Sequence, residues 1–155
     1  MFGVGTTLKG NVATTIKLLD DLVEPHLTRM GLTIGEADVL TLVLIAAPEH
    51  PPPTQLAGWL SLTTAGITGR LNTLERKGLI ERRPHATDGR RVHVHLTDSG
   101  VEVGEAVMAA KNQAWNQPVV EVLGDASAAE LNAKLERLNE ELRTMADQGA
   151  SAGAT

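Results

Sequence analysis

Residues 62–100 of the chain read LTTAGITGRLNTLERKGLIERRPHATDGRRVHVHLTDSG, and this stretch decides the fold class. Its first part predicts a helix that ends at about Lys77, because Thr63 or Thr64 can cap the N-terminus and Gly78 can adopt the left-handed conformation that stops a helix. Three apolar residues recur at the spacing of one buried helix face: Ile67, Leu71 and Leu74. The other faces carry short hydrogen-bonding side chains and arginines, the residue types that contact bases and phosphates.

The second part of the stretch predicts a β-hairpin. Residues 79–83 and 92–96 are the two candidate strands, and apolar and polar residues alternate in the second of them. The segment between them, residues 84–91, is rich in turn residues and ends in two arginines. A two-stranded hairpin is not stable alone in water, so we expect it to pack against the preceding helices.

Two further helices are predicted upstream of this stretch. Residues 55–61 follow a run of three prolines, and Thr54 is the expected N-cap of that short helix. Thr33 and Glu36 have the spacing of a capping box, so another helix should begin there. Short helices followed by a hairpin with a charged tip are typical of a winged helix-turn-helix. We assign residues 33–97 to such a DNA-binding lobe.

The flanking segments, residues 1–32 and 98–148, are predicted to be helical. Together with the lobe they give a fold that is mainly α with a small β-hairpin wing. Thr97 is the expected cap of a long helix that ends at Pro118. The last segment, residues 149–155, is small and polar and is predicted to be a disordered tail.

A row of apolar residues in the C-terminal segment predicts an interface between helices. A capping box at residues 127–130 precedes it. The apolar residues follow at spacings of 4, 3, 4 and 3: Leu131, Leu135, Leu138, Leu142 and Met145. A seam of about two heptads is too short to form a stable isolated coiled coil and needs a partner helix. We expect a homodimer in which the flanking helices of two subunits intertwine; the alternative is packing of this helix on its own chain.

The charge of the protein is unevenly distributed. The chain has a net charge of −5, but residues 54–96 contain three acidic residues and seven basic ones: Arg70, Arg76, Lys77, Arg82, Arg83, Arg90 and Arg91. This window therefore has a net charge of +4 within an acidic protein. The pattern favours a localised phosphate-binding face over a chance cluster on a solvated surface.

Composition and motifs exclude several other classes of protein. The chain has no cysteine, which excludes disulfides and thiolate catalysis. No apolar run approaches the ~20 residues that span a bilayer, and the N-terminus lacks the apolar region of a signal peptide, so a cytoplasmic location is expected. Phosphate-binding glycine patterns and the Gly-x-Ser-x-Gly nucleophile motif are missing from the sequence, so we predict neither an enzyme nor a cofactor.

The stretch at residues 62–100 resembles the multiple-antibiotic-resistance regulator (MarR) family of bacterial transcription factors. The likeness is carried by the recognition-helix pattern, the LERKGLIER junction at residues 74–82, the Asp88-Gly-Arg90 wing tip and the Leu-Thr entry into the next helix. The helix order extends it over about residues 8–147. The resemblance implies a homodimer that binds double-stranded DNA at an inverted repeat. Many members of the family are repressors that a small-molecule effector releases from DNA, and the resemblance implies the same form of regulation for this chain.

The resemblance places the helix of residues 64–77 in the major groove. By that likeness Thr64, Thr68, Arg70 and Asn72 meet base edges or phosphates. Gly69 and Thr73 stand where many relatives carry arginine, so part of the phosphate-contacting set is thinner in this chain.

The resemblance also assigns roles to the wing. Asp88 and Arg90 match wing positions, where the arginine enters the minor groove and the aspartate helps to hold the tip. A narrow, strongly negative groove suits one extended cation at a rigid tip. The complete set of predicted DNA-contacting residues is Thr54, Thr63, Thr64, Thr68, Arg70, Asn72, Thr73, Arg76, Asp88, Arg90 and Arg91.

Two alternative functions remain open at the level of sequence. His85, His93 and His95 could bind a transition metal, which would indicate a metal-responsive regulator or a small metalloenzyme. We favour an outward, polar face of the wing near DNA, so no metal site is predicted. The second alternative is a winged helix that binds another protein, which the acidic total charge favours.

Three residues outside the lobe are candidates for an effector site. His26, Arg29 and Trp115 could line a cavity for a small molecule. The chain has only three aromatic residues, and tryptophans in such a chain are more often anchors of the core. Both interpretations of Trp115 therefore remain open.

Overall fold

The computed structural model describes residues 7–84 and 92–152, which divide into two compact units, one ending at Trp115 and the other beginning at Asn116. The first unit contains α1 (Leu8–Arg29), α2 (Ile34–Ile45), α3 (Pro53–Trp59), α4 (Thr64–Arg76), β1 (Ile80–Pro84), β2 (Val92–Leu96) and α5 (Asp98–Lys111). A π-helical segment, Asn112–Asn116, follows α5, and the second unit contains α6 (Gln117–Leu123) and α7 (Asp125–Ala152). The predicted fold class, mainly α with a β-hairpin, is confirmed.

Every helix and strand of the first unit contributes to one apolar core. Its best-buried side chains are Val23, Leu27, Val39, Leu40, Val43, Leu56, Ile67, Leu71, Leu74, Ile80, Val94 and Val107. The three residues predicted to form the inner face of α4 are all among them. Burial of that face fixes which side of α4 remains exposed.

The helix boundaries predicted from capping are largely confirmed. The hydroxyl of Thr33 accepts a hydrogen bond from the Glu36 amide at 3.3 Å, and the Glu36 carboxylate accepts one from the Thr33 amide at 2.8 Å. The hydroxyl of Thr63 accepts from the Gly66 amide at 3.1 Å, so Thr63 is the N-cap of α4. Gly78 has φ +69° and ends that helix as predicted.

The prediction for the start of α3 was wrong. The helix begins at Pro53 with Pro52 as its N-cap, and Thr54 lies inside the first turn without capping it. A proline is favourable at the first helical position because the missing amide hydrogen would have no partner there. In α1, Pro25 lies inside the helix, which continues to Arg29.

The C-terminal helices also begin and end at other residues than predicted. Pro118 lies at the start of α6 rather than ending a long helix, because the chain has already changed to π-helical turns after Lys111. Gly124, with φ +77°, separates α6 from α7. As a result α7 begins at Asp125 instead of Ser127, and it continues to Ala152, four residues into the predicted disordered tail.

The predicted hairpin is confirmed, and the outer edge of β2 forms a hydrogen bond with the segment between α2 and α3. Strands β1 and β2 are antiparallel, with Pro84 opposite Val92 on the side of the connecting loop and Ile80 opposite Leu96 at the open end. On the other edge of β2, the Val94 amide donates to the Pro51 carbonyl at 3.2 Å. The hairpin therefore packs on the α2–α3 connection as well as on the helices.

The junction between β2 and α5 is bonded to the end of α4. The Thr97 hydroxyl donates to the Gly78 carbonyl at 2.7 Å and accepts from the Gly100 amide at 3.0 Å. The Thr97 amide donates to the Leu79 carbonyl at 3.1 Å. Gly100 fits closely here, because a Cβ atom at this position would lie 1.8 Å from the Leu79 carbonyl oxygen.

Two helices carry exposed apolar rows. On α7 the row is Leu131, Leu138, Leu142 and Met145, and on α1 it is Leu8, Val12, Ile16, Leu18 and Leu22. Neither row belongs to a membrane-spanning segment: within the ranges that the structure describes, no helix is both long and apolar enough to cross a bilayer. Such rows mark surfaces for association with another protein chain.

Candidate nucleic-acid interface

Helix α4 presents one polar face to solvent, on the side opposite its buried residues. We call this surface the reading face, and its exposed members are Thr64, Ala65, Thr68, Gly69, Asn72, Glu75 and Arg76. Its N-terminal half carries only small side chains. The helix backbone can therefore approach another molecule closely along that half.

The threonine hydroxyls of α4 are oriented by the helix itself. Thr68 donates to the Thr64 carbonyl at 2.7 Å, and Thr73 donates to the Gly69 carbonyl at 3.2 Å. A hydroxyl whose hydrogen is bonded in this way offers its remaining oxygen lone pair as an acceptor. The Thr73 oxygen already accepts from the Arg76 guanidinium at 3.1 Å, whereas Thr68 is exposed on the reading face.

Arg70 does not point outward as predicted. Its guanidinium is half-buried against the start of α2, where Nη1 donates to the Gly35 carbonyl at 3.4 Å. A Cβ atom at Gly35 would lie only 2.6 Å from Arg70 Cζ, so the contact depends on a glycine there. In this conformation Arg70 holds α4 on α2 instead of extending from the reading face.

Arg82 of β1 connects the hairpin to the exposed side of α4. Its Nη1 donates to the Glu75 carboxylate at 2.9 Å, and its Nη2 donates to Asn72 Oδ1 at 2.8 Å. From the sequence, Arg82 was recognisable only as one of the basic residues between positions 54 and 96. Strand alternation could have identified it, because Arg82 lies two residues after the buried Ile80 and so shares the face of β1 that packs on the helix.

Lys77, at the C-terminal end of α4, is also held by a partner. Its Nζ donates to the Glu36 carboxylate at 2.8 Å and to the Gly31 carbonyl at 2.7 Å. Burial of Glu36 would raise the pKa of its carboxyl group, but hydrogen bonds from Lys77 and from the Thr33 amide outweigh it and lower that pKa. Glu36 is thus ionised and paired although it is buried.

The wing tip lies outside the described residues. The predicted contacts of Asp88, Arg90 and Arg91, and the candidate ligand His85, belong to this part of the chain. Those predictions rest on the sequence alone.

The histidines of β2 are not on an outward face, contrary to our expectation. His93 and His95 are half-buried, and the His95 ring stacks on that of His50 with a centroid separation of 3.7 Å. His93 Nδ1 also forms a hydrogen bond with the His50 carbonyl. His50 was not singled out from the sequence, because nothing in the α2–α3 connection indicates that it reaches the hairpin.

These histidines border a cavity of about 310 Å³. It is lined by Pro48, Glu49, His50, Arg83, Pro84, His93 and His95. Burial, followed by the nearby His50 and Arg83, lowers the pKa of His95, so that this imidazole is uncharged at neutral pH. Among the residues that the structure describes, no group of three histidine, aspartate or glutamate side chains could hold a metal ion.

The candidate effector-site residues all contact other residues of the protein. His26 and Arg29 lie on the last turn of α1, with Arg29 Nη2 and His26 Nδ1 3.1 Å apart. Trp115 donates its indole hydrogen to the Leu19 carbonyl at 2.8 Å, and the Lys111 ammonium lies 5.0 Å from its ring centroid. Trp115 thus packs between α1 and α5, and an effector role for these residues stays a prediction.

Gly69 lies in the middle of the reading face, and replacing it tests how much this glycine lowers the stability of α4. A Cβ atom at Gly69 would meet nothing within 4 Å. Gly69→Ala is therefore expected to raise the free energy of unfolding by about 1 kcal/mol, because glycine is disfavoured inside helices. Chemical denaturation monitored by circular dichroism measures this change.

Gly66→Ala is the matched control for this prediction. A Cβ atom at Gly66 would lie 3.3 Å from the Thr63 hydroxyl that caps the helix. The new methyl group would crowd the capping hydroxyl, so Gly66→Ala should stabilise the protein less than Gly69→Ala does. Equal stabilisation by both variants would show that the close contact at Gly66 has no energetic effect.

The known proteins that this chain resembles include transcriptional regulators. Residues 34–92 match the model of the MarR family. The chain is 34% identical over 84 residues to the HTH-type transcriptional repressor YetL of Bacillus subtilis, covering 54% of this chain and 50% of that protein. It is 32% identical over 92 residues to the HTH-type transcriptional regulator PecS of Dickeya dadantii, covering 59% of this chain and 55% of that protein. The chain thus spans about half the length of these curated relatives.

A solved structure extends the similarity to most of the chain. It is a mutant of MarR from Escherichia coli in complex with operator DNA, with a TM-score of 0.73 and 27% sequence identity. The alignment covers 84% of this chain and 92% of that one. The likeness therefore includes the flanking helices as well as the winged lobe.

Proposed function

Since this chain belongs to the MarR family, we propose that it is a homodimeric transcriptional regulator that binds double-stranded DNA sequence-specifically and represses transcription. It works by binding, and no catalytic step is assigned to it. The observation that carries the proposal is the reading face of α4, a row of small and polar side chains held outward by the buried residues of the same helix. The winged lobe thereby offers a helix surface of the kind that enters a major groove.

The similar proteins support two parts of this proposal, namely that the ligand is DNA and that the protein represses transcription. One similar protein is named a transcriptional repressor, and a similar structure was solved with operator DNA. Among the basic residues of the described lobe, Lys77, Arg82 and Arg83 form ion pairs with glutamates. Much of the positive charge for phosphate contacts must then come from Arg76 and from the arginines of the wing.

The exposed apolar rows support a homodimer. The side chains of Leu138 and Leu142 are 41% and 52% exposed, which is costly for apolar groups on an amphipathic helix. A second copy of the chain would bury them and would set the distance between two reading faces. In symmetric dimers of this type the half-sites lie one helical turn apart, about 34–36 Å.

A small-molecule effector would act by changing the distance between the two reading faces of the dimer. A small molecule needs only to favour a dimer in which the two reading faces are wrongly spaced for successive major grooves. His26, Arg29 and Trp115 are our proposed residues for its site. DNA release by a bound small molecule is the expected form of regulation.

Selection of a random duplex pool by the purified protein at near-physiological salt tests the proposal. We expect enrichment of an inverted repeat with half-sites about one helical turn apart. Binding that is weak, strongly salt-dependent and without an enriched sequence would contradict a sequence-specific regulator. If the purified protein binds another protein specifically and does not bind DNA, the result would favour the alternative of a winged helix that binds another protein.

Arg90→Ala is expected to weaken DNA binding on all sequences. The arginine is predicted to enter the minor groove, so its loss should reduce the slope of log K against log salt by about 1. Fluorescence anisotropy on the selected operator at several salt concentrations measures both quantities. Lys9→Ala removes an exposed charge from α1 and is the control. The same affinity and slope in Arg90→Ala and wild type would exclude the wing from binding.

A further inference from the structure

Strand β2 is joined to the connection between α2 and α3 by a pair of stacked histidine rings. The rings of His95 on β2 and His50 on the connection have centroids 3.7 Å apart and are inclined by 28°. Two hydrogen bonds lie beside the stack. His93 Nδ1 donates to the His50 carbonyl. The Val94 amide donates to the Pro51 carbonyl at 3.2 Å. We call the stack and these two hydrogen bonds the histidine clasp.

Both rings of the clasp are partly shielded from water but can still be reached by it. His50 and His95 are half-buried, and the cavity of about 310 Å³ borders them. His50 has φ +48°, in the left-handed region that is uncommon for residues other than glycine, and its contacts with β2 hold it there. Loss of those contacts would allow the connection to relax away from β2.

The charges around His95 determine how the clasp responds to acid. The ionisable groups that share its cavity or its strand register are His50 and Glu49 of the connection and Glu81, Arg83 and His93 of the hairpin. Burial lowers the pKa of His95, His50 and Arg83 lower it further, and Glu81 opposes them. A proton on His95 would place a positive charge in the stack and away from bulk water. Protonation of this ring therefore opposes the clasp.

We propose that the histidine clasp is a pH-sensitive switch: protonation of His95 parts its ring from His50, releases β2 from the α2–α3 connection and weakens operator binding. The part that concerns DNA rests on the proposed function. Strand β2 is one side of the wing, and without the clasp the wing is held less firmly relative to α4. Bound DNA needs both surfaces in place at once, so binding releases the proton from His95.

The first test measures the free energy of unfolding as a function of pH for the wild type and for His95→Phe. The pKa of His95 is lowered in the folded protein from its usual value of 6.5, so the uncharged ring contributes stability above pH 6.5 that is lost as the pH falls through the lower, folded pKa. Phenylalanine keeps an aromatic ring in the stack and takes up no proton. We expect the wild type to lose more stability than His95→Phe between about pH 7.5 and about pH 5.5. Parallel curves would overturn the inference.

The second test measures operator affinity by fluorescence anisotropy over the same pH range, with EDTA present so that metal ions do not contribute. One proton released on binding lowers the affinity by up to about tenfold per pH unit. We expect the affinity of the wild type, relative to that of His95→Phe, to fall by about tenfold between about pH 7.5 and about pH 5.5. A constant or rising ratio would overturn the inference, because added positive charge near phosphates would by itself raise the affinity.

Two variants of neighbouring charges separate the titration of His95 from a structural role. Arg83→Met removes a cation that lowers the pKa of His95, and Glu81→Gln removes an anion that raises it. Because these two residues pair with each other, each substitution also frees the opposite charge, which adds to the shift. The two variants are therefore matched controls for one another.

NMR titration of the imidazole Hε1 signals measures these shifts, and the signal that is absent from His95→Phe identifies His95. We expect the midpoint of His95 to move to higher pH in Arg83→Met and to lower pH in Glu81→Gln. The pH at which operator binding weakens should move in the same two directions. Unmoved midpoints, or shifts in the same direction for both variants, would overturn the inference.

The design distinguishes failure of the switch from failure of the proposed function. A wild-type protein that enriches no operator at neutral pH would overturn the proposed function, whereas the unfolding and NMR measurements would still decide whether the clasp titrates as proposed. Thermal unfolding of each variant at neutral pH verifies that it is folded.

Discussion

Gly100→Ala is expected to lower the free energy of unfolding by about 3 kcal/mol or more. The new Cβ atom would be placed 1.8 Å from the Leu79 carbonyl oxygen, a backbone atom that cannot rotate away. The same oxygen accepts the hydrogen bond from the Thr97 amide. The substitution therefore forces apart the end of α4, the start of β1 and the start of α5 together.

Denaturant titration monitored by circular dichroism measures the effect. Gly58→Ala is the control, because Gly58 lies on the exposed side of α3 and a Cβ atom there would meet nothing within 4 Å. That control should be neutral or slightly stabilising, since alanine is favoured over glycine in a helix. Comparable stability of Gly100→Ala and wild type would show that the junction adjusts to a side chain at no cost.

Lys77→Met is the second substitution with a large expected effect. It leaves the Glu36 carboxylate buried without its cation, although the hydrogen bond from the Thr33 amide remains. A buried charge that loses its partner is costly, and partial exposure of Lys77 reduces the loss, so we expect destabilisation by about 2 kcal/mol at pH 7. Lys134→Met breaks an exposed pair with Glu130 on α7 and should have almost no effect.

The effect of Lys77→Met should depend on pH in a defined direction. The pKa of Glu36 is lowered in the folded protein from its usual value of 4.5, so this carboxylate contributes stability above pH 4.5. The contribution is lost as the pH falls through the lower, folded pKa. The difference between wild type and Lys77→Met should thus be constant near neutrality and shrink as the pH falls below 4.5 and through the lowered pKa of folded Glu36. A difference that does not shrink as Glu36 becomes protonated would show that the ion pair is not its source.

The sequence predicted those parts of the fold whose signals are local. Thr33, Thr63 and Gly78 marked helix ends correctly, because caps and left-handed glycines act within a few residues. The start of α3 was missed because Thr54 and Pro53 both suit the first turn of a helix, and only the packing of the chain selects between them. The start of α7 was missed because Gly124, rather than the capping box after it, ends the preceding helix.

The arrangement of the candidate interface was harder to predict. Helical spacing correctly separated the buried Ile67 from the exposed Asn72, because both belong to one helix. The partners of Arg70 and Arg82 come from α2 and β1, and no periodicity within α4 reports contacts with other elements. Predicting them requires the relative placement of elements distant in sequence.

The contact of Arg70 with Gly35 has a consequence for how this surface can evolve. The guanidinium is the flexible end of its side chain, and it occupies the space that a β-carbon at position 35 would take. Any residue other than glycine at position 35 would displace it toward solvent. A single methyl group, added 35 residues away in the sequence, would then relocate a positive charge. The chain can alter its electrostatic surface without gaining or losing an ionisable residue.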